Sequence, residues 1–342
     1  MKRLLIASLA LVAALPLAAG QTAAAEAINS GARYATDAYP GFDEVKESTH
    51  PEKKTPKWLS WLTGPKMEDS AAQFSYCREL IAEESYSKAA RELDALVREW
   101  PVSREAPEAQ RLLAETLETK LRDYEEAFRE WRYLVDFYSV QCDYAAAVDA
   151  LYRVASVMRI EGKTIMFFRF KNTADVRRAL EACVLRAPGA EWAPRAMLEI
   201  ASLREDEMRW TEAIKVYENL RNLHRGTPEA KEALVREAAA RMKVLEEMGY
   251  NRERMRDTVG FLEQAEGASD GGDREAISGM LAEARALVDD EAFAAAKFYD
   301  SRIRTKHSAV NAYEMYLANY PQGRHAEEAR MRLEELKKGD AQ

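Results

Sequence analysis

The chain has 342 residues, 47% of them apolar, and carries a net charge of −8. Its length allows one to three domains, and its apolar content is ample for buried cores. The acidic balance argues against nonspecific nucleic-acid binding, which needs a basic surface to neutralise phosphate.

Residues 1–20 read as an export signal. Lys2 and Arg3 open it, Leu4 to Leu17 form the apolar run, and Ala18-Ala19-Gly20 is a small-residue exit before Gln21. A second cut fits after Ala23-Ala24-Ala25, before Glu26. The run is short for a membrane span, and no later segment approaches a spanning apolar length. The mature chain is therefore expected to be exported and soluble. Loss of the leader removes two cations and no acid, so the charge falls from −8 to −10.

Residues 21–66 are expected to form a flexible tether, rich in Ala, Gly, Pro and charge up to about Lys54. Thr55-Pro56 then offers a helix start for the short amphipathic stretch Trp58-Leu59-Ser60-Trp61-Leu62, which ends at Gly64-Pro65. Trp58 and Trp61 either cover the first repeat as an apolar lid or contact a partner or a membrane surface.

From residue 67 to 338 the periodicity is helical almost throughout, and the fold is predicted to be all-α. The first hairpin runs from about Ser70 to Trp100, with Phe74, Cys77, Leu80, Leu93 and Leu96 facing inward. The second spans Pro107 to Tyr138. The third starts near Tyr144, is interrupted from Gly162 to Phe170, and resumes near Ala174 to reach Pro188. The fourth pairs Pro194–Arg204 with Thr211–Leu223. A weaker fifth covers Pro228 to Glu266 and closes in a loop from Gly267 to Asp273. A long helix from about Arg274 to Ile303 leads to Ser308–Tyr320, and Ala326–Leu336 closes the array. Beyond residue 100 every proline falls at a joint between these segments, where proline terminates helices rather than kinking them.

A grid of small and ring residues recurs along this stretch. Eleven positions after Ala89, Ala127, Ala213 and Ala309 stand Trp100, Tyr138, His224 and Tyr320. Seventeen and twenty positions on, three of the four anchors give Ala again: Ala106 and Ala109, Ala230 and Ala233, Ala326 and Ala329. With a further anchor at position 176, where the grid's alanine is missing, the spacings of 38, 49, 37 and 96 residues fit five or six repeats with insertions, the last gap hiding one degenerate unit. Hairpins that cannot bury their apolar faces alone stack into a solenoid.

The motif residues Cys77, Leu80, Ala89, Leu93, Leu96 and Pro101, and again Ala201, Arg204, Ala213, Tyr217 and Leu220, resemble the tetratricopeptide repeat family. That resemblance implies a right-handed superhelical solenoid of five to six helical hairpins. Ala296-Lys297-Phe298-Tyr299-Asp300 followed by Ala312-Tyr313-Glu314-Met315-Tyr316-Leu317-Ala318-Asn319-Tyr320-Pro321 is similar to the outer-membrane assembly lipoprotein BamD group. This second resemblance implies a periplasmic scaffold at the inner face of the outer membrane that binds a β-barrel insertase complex or unfolded outer-membrane protein segments. It brings no catalytic residue. One departure is plain: that group begins its mature chain with an acylated cysteine, and here no cysteine precedes Cys77.

Catalytic signatures are absent: there is no metal-binding His-Glu-x-x-His, nucleophile elbow, phosphate loop or Cys-x-x-Cys. No catalytic residue, cofactor or metal is expected. Glu205-Asp206-Glu207 reads as a solvated helix end, and His224 as a packing residue in a ring position of the grid. Cys77 and Cys183 fall in apolar stripes and read as buried thiols, with one disulfide plus a spare as the alternative.

Binding is better motivated, because stacked hairpins curve and their first helices line the concave side. The inward candidates are Phe74, Ser75 and Arg78 in the first hairpin; Arg195, Glu199, Ser202 and Glu205 in the fourth; and Phe298 and Arg302 in the last. Met166, Phe167, Phe168 and Phe170 form an apolar cluster that either packs into the array or docks a partner. Two further readings stand beside the assembly scaffold: a general exported adaptor for envelope maintenance or division, and a repeat-fold hydrolase using groove carboxylates.

Overall fold

In a computed structural model, the structure describes Phe42 and residues 64–161, 163–165, 168–170, 173–248, 251–302 and 306–338. The signal, both cleavage positions, Trp58, Trp61, Met166 and Phe167 lie outside the described residues. The chain divides into two compact units that part at residue 172.

The first unit holds α1 (Ser70–Ala82), α2 (Tyr86–Glu99), α3 (Ala106–Thr116), α4 (Tyr124–Phe137) and α5 (Tyr144–Glu161). Local chemistry starts these helices. Asp69 accepts the Ala72 N–H at 2.8 Å and Asp123 accepts the Glu126 N–H at 3.2 Å, satisfying amides that a helix start leaves open. Pro107 stands in the first turn of α3, where its missing N–H costs nothing. Helix packing is sequential: α1 on α2, α2 on α3, α3 on α4 and α4 on α5.

A π-helical turn, Leu117–Leu121, extends α3 and buries Glu118, which accepts the Trp131 Nε1–H at 2.9 Å and an Arg153 N–H at 2.6 Å. Two glutamines repeat one bond across successive hairpins. The Gln73 side-chain amide donates to the Glu92 carboxylate at 2.9 Å, and that of Gln110 to the Glu130 carboxylate at 2.7 Å. Both amides also donate to the backbone carbonyl of the same glutamate, at 3.3 and 2.9 Å.

The interruption from Gly162 to Phe170 contains a small antiparallel hairpin, β1 (Lys163–Ile165) paired with β2 (Phe168–Phe170), Ile165 opposite Phe168. This hairpin departs from the all-helical expectation; three-residue strands are too short to leave a visible alternation in sequence. Phe168 and Phe170 lie in β2.

The second unit holds α6 (Thr173–Arg186), α7 (Ala193–Asp206), α8 (Trp210–Leu223), α9 (Pro228–Met248), α10 (Arg252–Ala268), α11 (Gly271–Arg302), α12 (Lys306–Asn319) and α13 (Ala326–Lys338). Adjacent helices again pack in order from α6 to α13, and α9 also touches both α7 and α11. In a curved stack the layer whose next-but-one helices meet is the inner one, so α7, α9 and α11 form the inner layer of this unit.

The predicted third hairpin is divided, its first helix (α5) falling in the first unit and its second (α6) in the second. The predicted loop from Gly267 to Asp273 is also shorter than expected. Helix α10 runs on to Ala268 and α11 begins at Gly271, whose φ of 55° suits a residue without Cβ. The 32-residue α11 joins two cores. Its first half (Ile277, Leu281, Ala284) packs with Met242 and Leu262, and its second half (Phe293, Ala296) with Tyr313, Tyr316 and Ala329. One continuous helix thus replaces the break that would have marked the degenerate unit.

The sequence grid coincides with the core. Ala89, Ala127, Ala213 and Ala309 are all buried, as are Ala106, Ala109, Ala230, Ala233, Ala326 and Ala329. Each ring residue follows the last turn of its helix and donates its N–H four residues back: Trp100 to Leu96, Tyr138 to Leu134 and His224 to Leu220, all at 2.9 Å, and Tyr320 to Tyr316 at 2.8 Å. Ala187 makes the same bond to Cys183 at 3.0 Å, which identifies Val176 as the anchor of the third repeat. Ala193 and Ala196, seventeen and twenty residues beyond it, are fully buried.

Candidate functional site

Helix α7 carries four of the predicted binding residues along one side. Arg195 is exposed and its Nε lies 3.5 Å from the half-buried Glu199. Ser202 is half-buried one turn on, and Glu205 meets Arg236 of α9 at 3.7 Å. Arg236 also pairs with Glu232 at 2.8 Å, making α9 the second wall of this surface. Sequence reasoning missed Arg236 because α9 belongs to the weakest repeat. Burial raises the Glu205 carboxyl above its ordinary range, while Tyr217 and Arg236 oppose the shift. Tyr217 is fully buried beneath this surface; burial, and then the neighbouring Glu205, push its hydroxyl well up. Glu205 and Arg236 are the polar groups beside that hydroxyl, though neither forms a hydrogen bond of ordinary geometry with it.

Glu205 and Glu207 are not the solvated helix end expected from sequence. Glu207 completes a buried ion network in which Glu181 lies 2.9 Å from Arg177 and 3.2 Å from Arg204, while Arg177 also reaches Glu207 at 3.1 Å. Arg177, Glu181 and Arg204 are all buried between α6 and α7. A second fully buried carboxylate, Glu237 on α9, is held by Arg221 and Arg241, each at 2.7 Å. Burial raises its pKa and the two guanidinium groups work against that rise. Arg241 also lies 4.3 Å above the Phe261 ring. These contacts tie α6 to α7, α8 to α9 and, through Phe261, α9 to α10.

A groove of 890 Å³ opens between α10, α11 and α12. Small residues, among them Gly260, Ala282, Ala296 and Ala312, line it together with Tyr299 and Met315. Tyr299 retains 42% and Met315 63% of their accessible surface. The predicted residue Phe298 is 55% exposed and sits edge-on to Tyr299 at 6.1 Å, but it does not line the groove. Arg302 falls in the last turn of α11. One wall is anchored by the buried Asp289, which accepts the Tyr316 O–H at 2.6 Å and the backbone N–H of Arg324. Beside it His325 lies flat on Phe293, centroids 4.4 Å apart, and bonds Asp290 at 2.8 Å.

In the first unit, Phe74 is half-buried on α1 and Ser75 and Arg78 are exposed. Among the described residues no His, Cys, Asp and Glu are grouped as a metal would require. The three cysteines are unpaired. Burial pushes the thiols of Cys77 and Cys183 up to about 12 and that of Cys142 to about 11, so none is a ready nucleophile. His224 is half-buried, and burial holds its imidazole below the ordinary value.

Paired helices of 13 or 14 residues, buried alanines at fixed offsets and a repeated helix-end bond together decide the architecture. Each unit is built from tetratricopeptide-like helical hairpins. No family model and no curated protein matches the chain. Among solved structures, a double mutant of MamA RS-1 is 17% identical, covering 60% of this chain and 99% of its own, with a TM-score of 0.27. MamA from residue 41 to its end, from Desulfovibrio magneticus RS-1, gives 15% identity over the same shares, also at 0.27. The C-terminal part of a TPR repeat-containing protein from Cytophaga hutchinsonii gives 13% identity over 91% of this chain and 94% of its own, at 0.29. The hairpin reading rests on the helix pairs themselves. Among the described residues no helix is long and apolar enough to cross a membrane.

Proposed function

We propose that the chain is a scaffold that grips extended segments of other proteins, chiefly through the second unit. The observation that carries this reading is the exposure of Tyr299 and Met315 at a groove lined by small residues such as Gly260, Ala282 and Ala312 and by charged ones such as Arg256, Glu263 and Arg285. Large apolar groups held at a concave surface by a rigid frame are where partner side chains gain most from leaving water. The α7–α9 surface, with Arg195, Glu199, Ser202, Glu205 and Arg236, adds polar partners of both signs.

The finer reading is a periplasmic scaffold for outer-membrane β-barrel assembly, exported by residues 1–20. The likeness of residues 296–321 to the BamD group supports it, and both Tyr299 and Met315 belong to that stretch. Capture of partners by the tagged full-length chain in its own cells tests it: recovery of the barrel insertase is expected. Recovery of cytoplasmic or secreted partners alone contradicts it. Depletion that disturbs septation while outer-membrane protein levels hold would favour the envelope adaptor instead.

A further inference from the structure

The α10–α12 groove is lined by three acids and three arginines, and their pairing within the fold is uneven. The acids are taken. Asp289 accepts the Tyr316 O–H and the Arg324 N–H, Glu263 lies 2.8 Å from Arg285, and Glu291 is engaged as well. Of the cations, only Arg285 is held by an acid of the groove. Arg256 is exposed and has no ionic partner among the described residues. The Arg324 guanidinium keeps 65% of its accessibility and lies 3.6 Å from Asp290, an acid already bonded to His325 at 2.8 Å. So exposed and long a pair is worth little. Uncompensated positive charge is what this groove presents to a ligand.

The rest of the lining is suited to an extended chain. Tyr299 and Met315 stay exposed, and a ring beside a thioether packs readily against a large apolar side chain. Asn319 and Gln322, exposed on the α12 side, carry amides that can donate to and accept from a main chain.

We propose that the ligand of this groove is an acidic extended segment, with one large apolar side chain against Tyr299 and Met315 and carboxylates meeting Arg256 and Arg324. The proposal rests on the groove being a protein-binding one, as proposed above, and adds the class of segment it selects. Arg256 stands on α10 and Arg324 just beyond α12, so the two cations come from opposite walls and favour acids on both sides of the apolar residue. A basic segment would set like charges against both guanidinium groups and is rejected.

The test exposes the full-length chain to a library of short fluorescent peptides, each with Leu, Phe or Trp at its centre and every other position varied. Asp and Glu are expected to be enriched on both sides of the centre. The net charge of −8 draws basic peptides to the chain nonspecifically, so acidic selection reports the groove itself. Arg256→Glu should weaken the best acidic peptide about fivefold and should prefer the same peptide with one acid changed to Lys. Met315→Ala should weaken it roughly tenfold and leave the preference for acids unchanged. Enrichment of basic residues, no charge preference, no bound peptide, or equal affinity for the Arg256→Glu chain overturns the proposal. Peptide binding that disappears as the chain is concentrated would assign the groove to a second copy and overturns it too. If acidic selection fails while partners still crosslink to Tyr299 and Met315, the ligand class falls and the scaffold reading stands.

Discussion

Glu84 and Met208 occupy the same corner of their repeats: each stands five residues before its anchor alanine, with φ of 57° and 56°. Arg122 holds the equivalent corner of the second repeat, at 55°. These turns join the two helices of a hairpin through a left-handed residue, yet none uses glycine. A side chain with Cβ costs about 1–2 kcal/mol in that conformation, against roughly 0.5–1 kcal/mol for the greater freedom that glycine loses on folding. Met208→Gly and Glu84→Gly are each expected to stabilise the protein by up to about 1 kcal/mol in denaturant unfolding. Destabilisation by either substitution would show that the corner is not strained.

The buried network around Glu181 predicts the opposite kind of result. Glu181→Ala leaves the Arg177 and Arg204 guanidinium groups buried without their shared carboxylate. Loss of one partner from such a network costs about 3–5 kcal/mol. Replacing Glu212, a half-buried partner of the exposed Arg209, should cost no more than about 1 kcal/mol. Urea unfolding of the two variants side by side checks the contrast.

Gly323 is a second sensitive point. A Cβ there would lie 2.5 Å from the Asp289 Oδ1 and 2.8 Å from the Tyr316 hydroxyl, groups already bonded to each other. Gly323→Ala is expected to cost about 1–3 kcal/mol and to speed amide exchange in α12 and α13. Gly189→Ala, with nothing within 4 Å of the added carbon, is the matched control and should be near neutral.

Glu205 predicts a pH effect. Its folded pKa is raised above the ordinary 4.5, chiefly by burial, so the folded state holds this proton more tightly than the unfolded chain. The resulting stability is fully present below 4.5 and is lost as pH rises through the folded pKa. Glu205→Gln, which cannot ionise, should flatten this part of the stability profile, and its gain over the unaltered protein should grow as pH rises through the folded pKa. A larger gain at the acidic end would contradict the assignment.

The repeat grid was legible because alanine marks close helix approach wherever it recurs, as at Ala89, Ala127, Ala213 and Ala309. The third hairpin was placed from helical periodicity but lacks the grid itself, because Val176 and Ala187 stand where the other repeats have an alanine and a ring. The buried ion networks were invisible for a different reason. Glu207 read as solvated charge and Arg177 and Glu181 drew no reading, since nothing in local sequence reveals that α6 and α7 enclose one another's guanidinium and carboxylate groups. The two glycines at 271 and 272 suggested a long loop, yet the first turn of a helix tolerates them. Of the candidate site, helical phase sufficed to place the α7 residues along one side of their helix, whereas Arg236 and the α10–α12 groove depend on packing between repeats.

Site-specific photocrosslinking tests the central claim, that the α10–α12 groove and the α7–α9 surface grip other proteins, most directly. Photoreactive residues placed at Tyr299, Met315 and Ser202 of the full-length chain should yield partner adducts in its own cells. The same residue at Met331, which is exposed but does not line the groove, should not. Equal labelling at all four positions, or adducts at Met331 alone, would contradict the account.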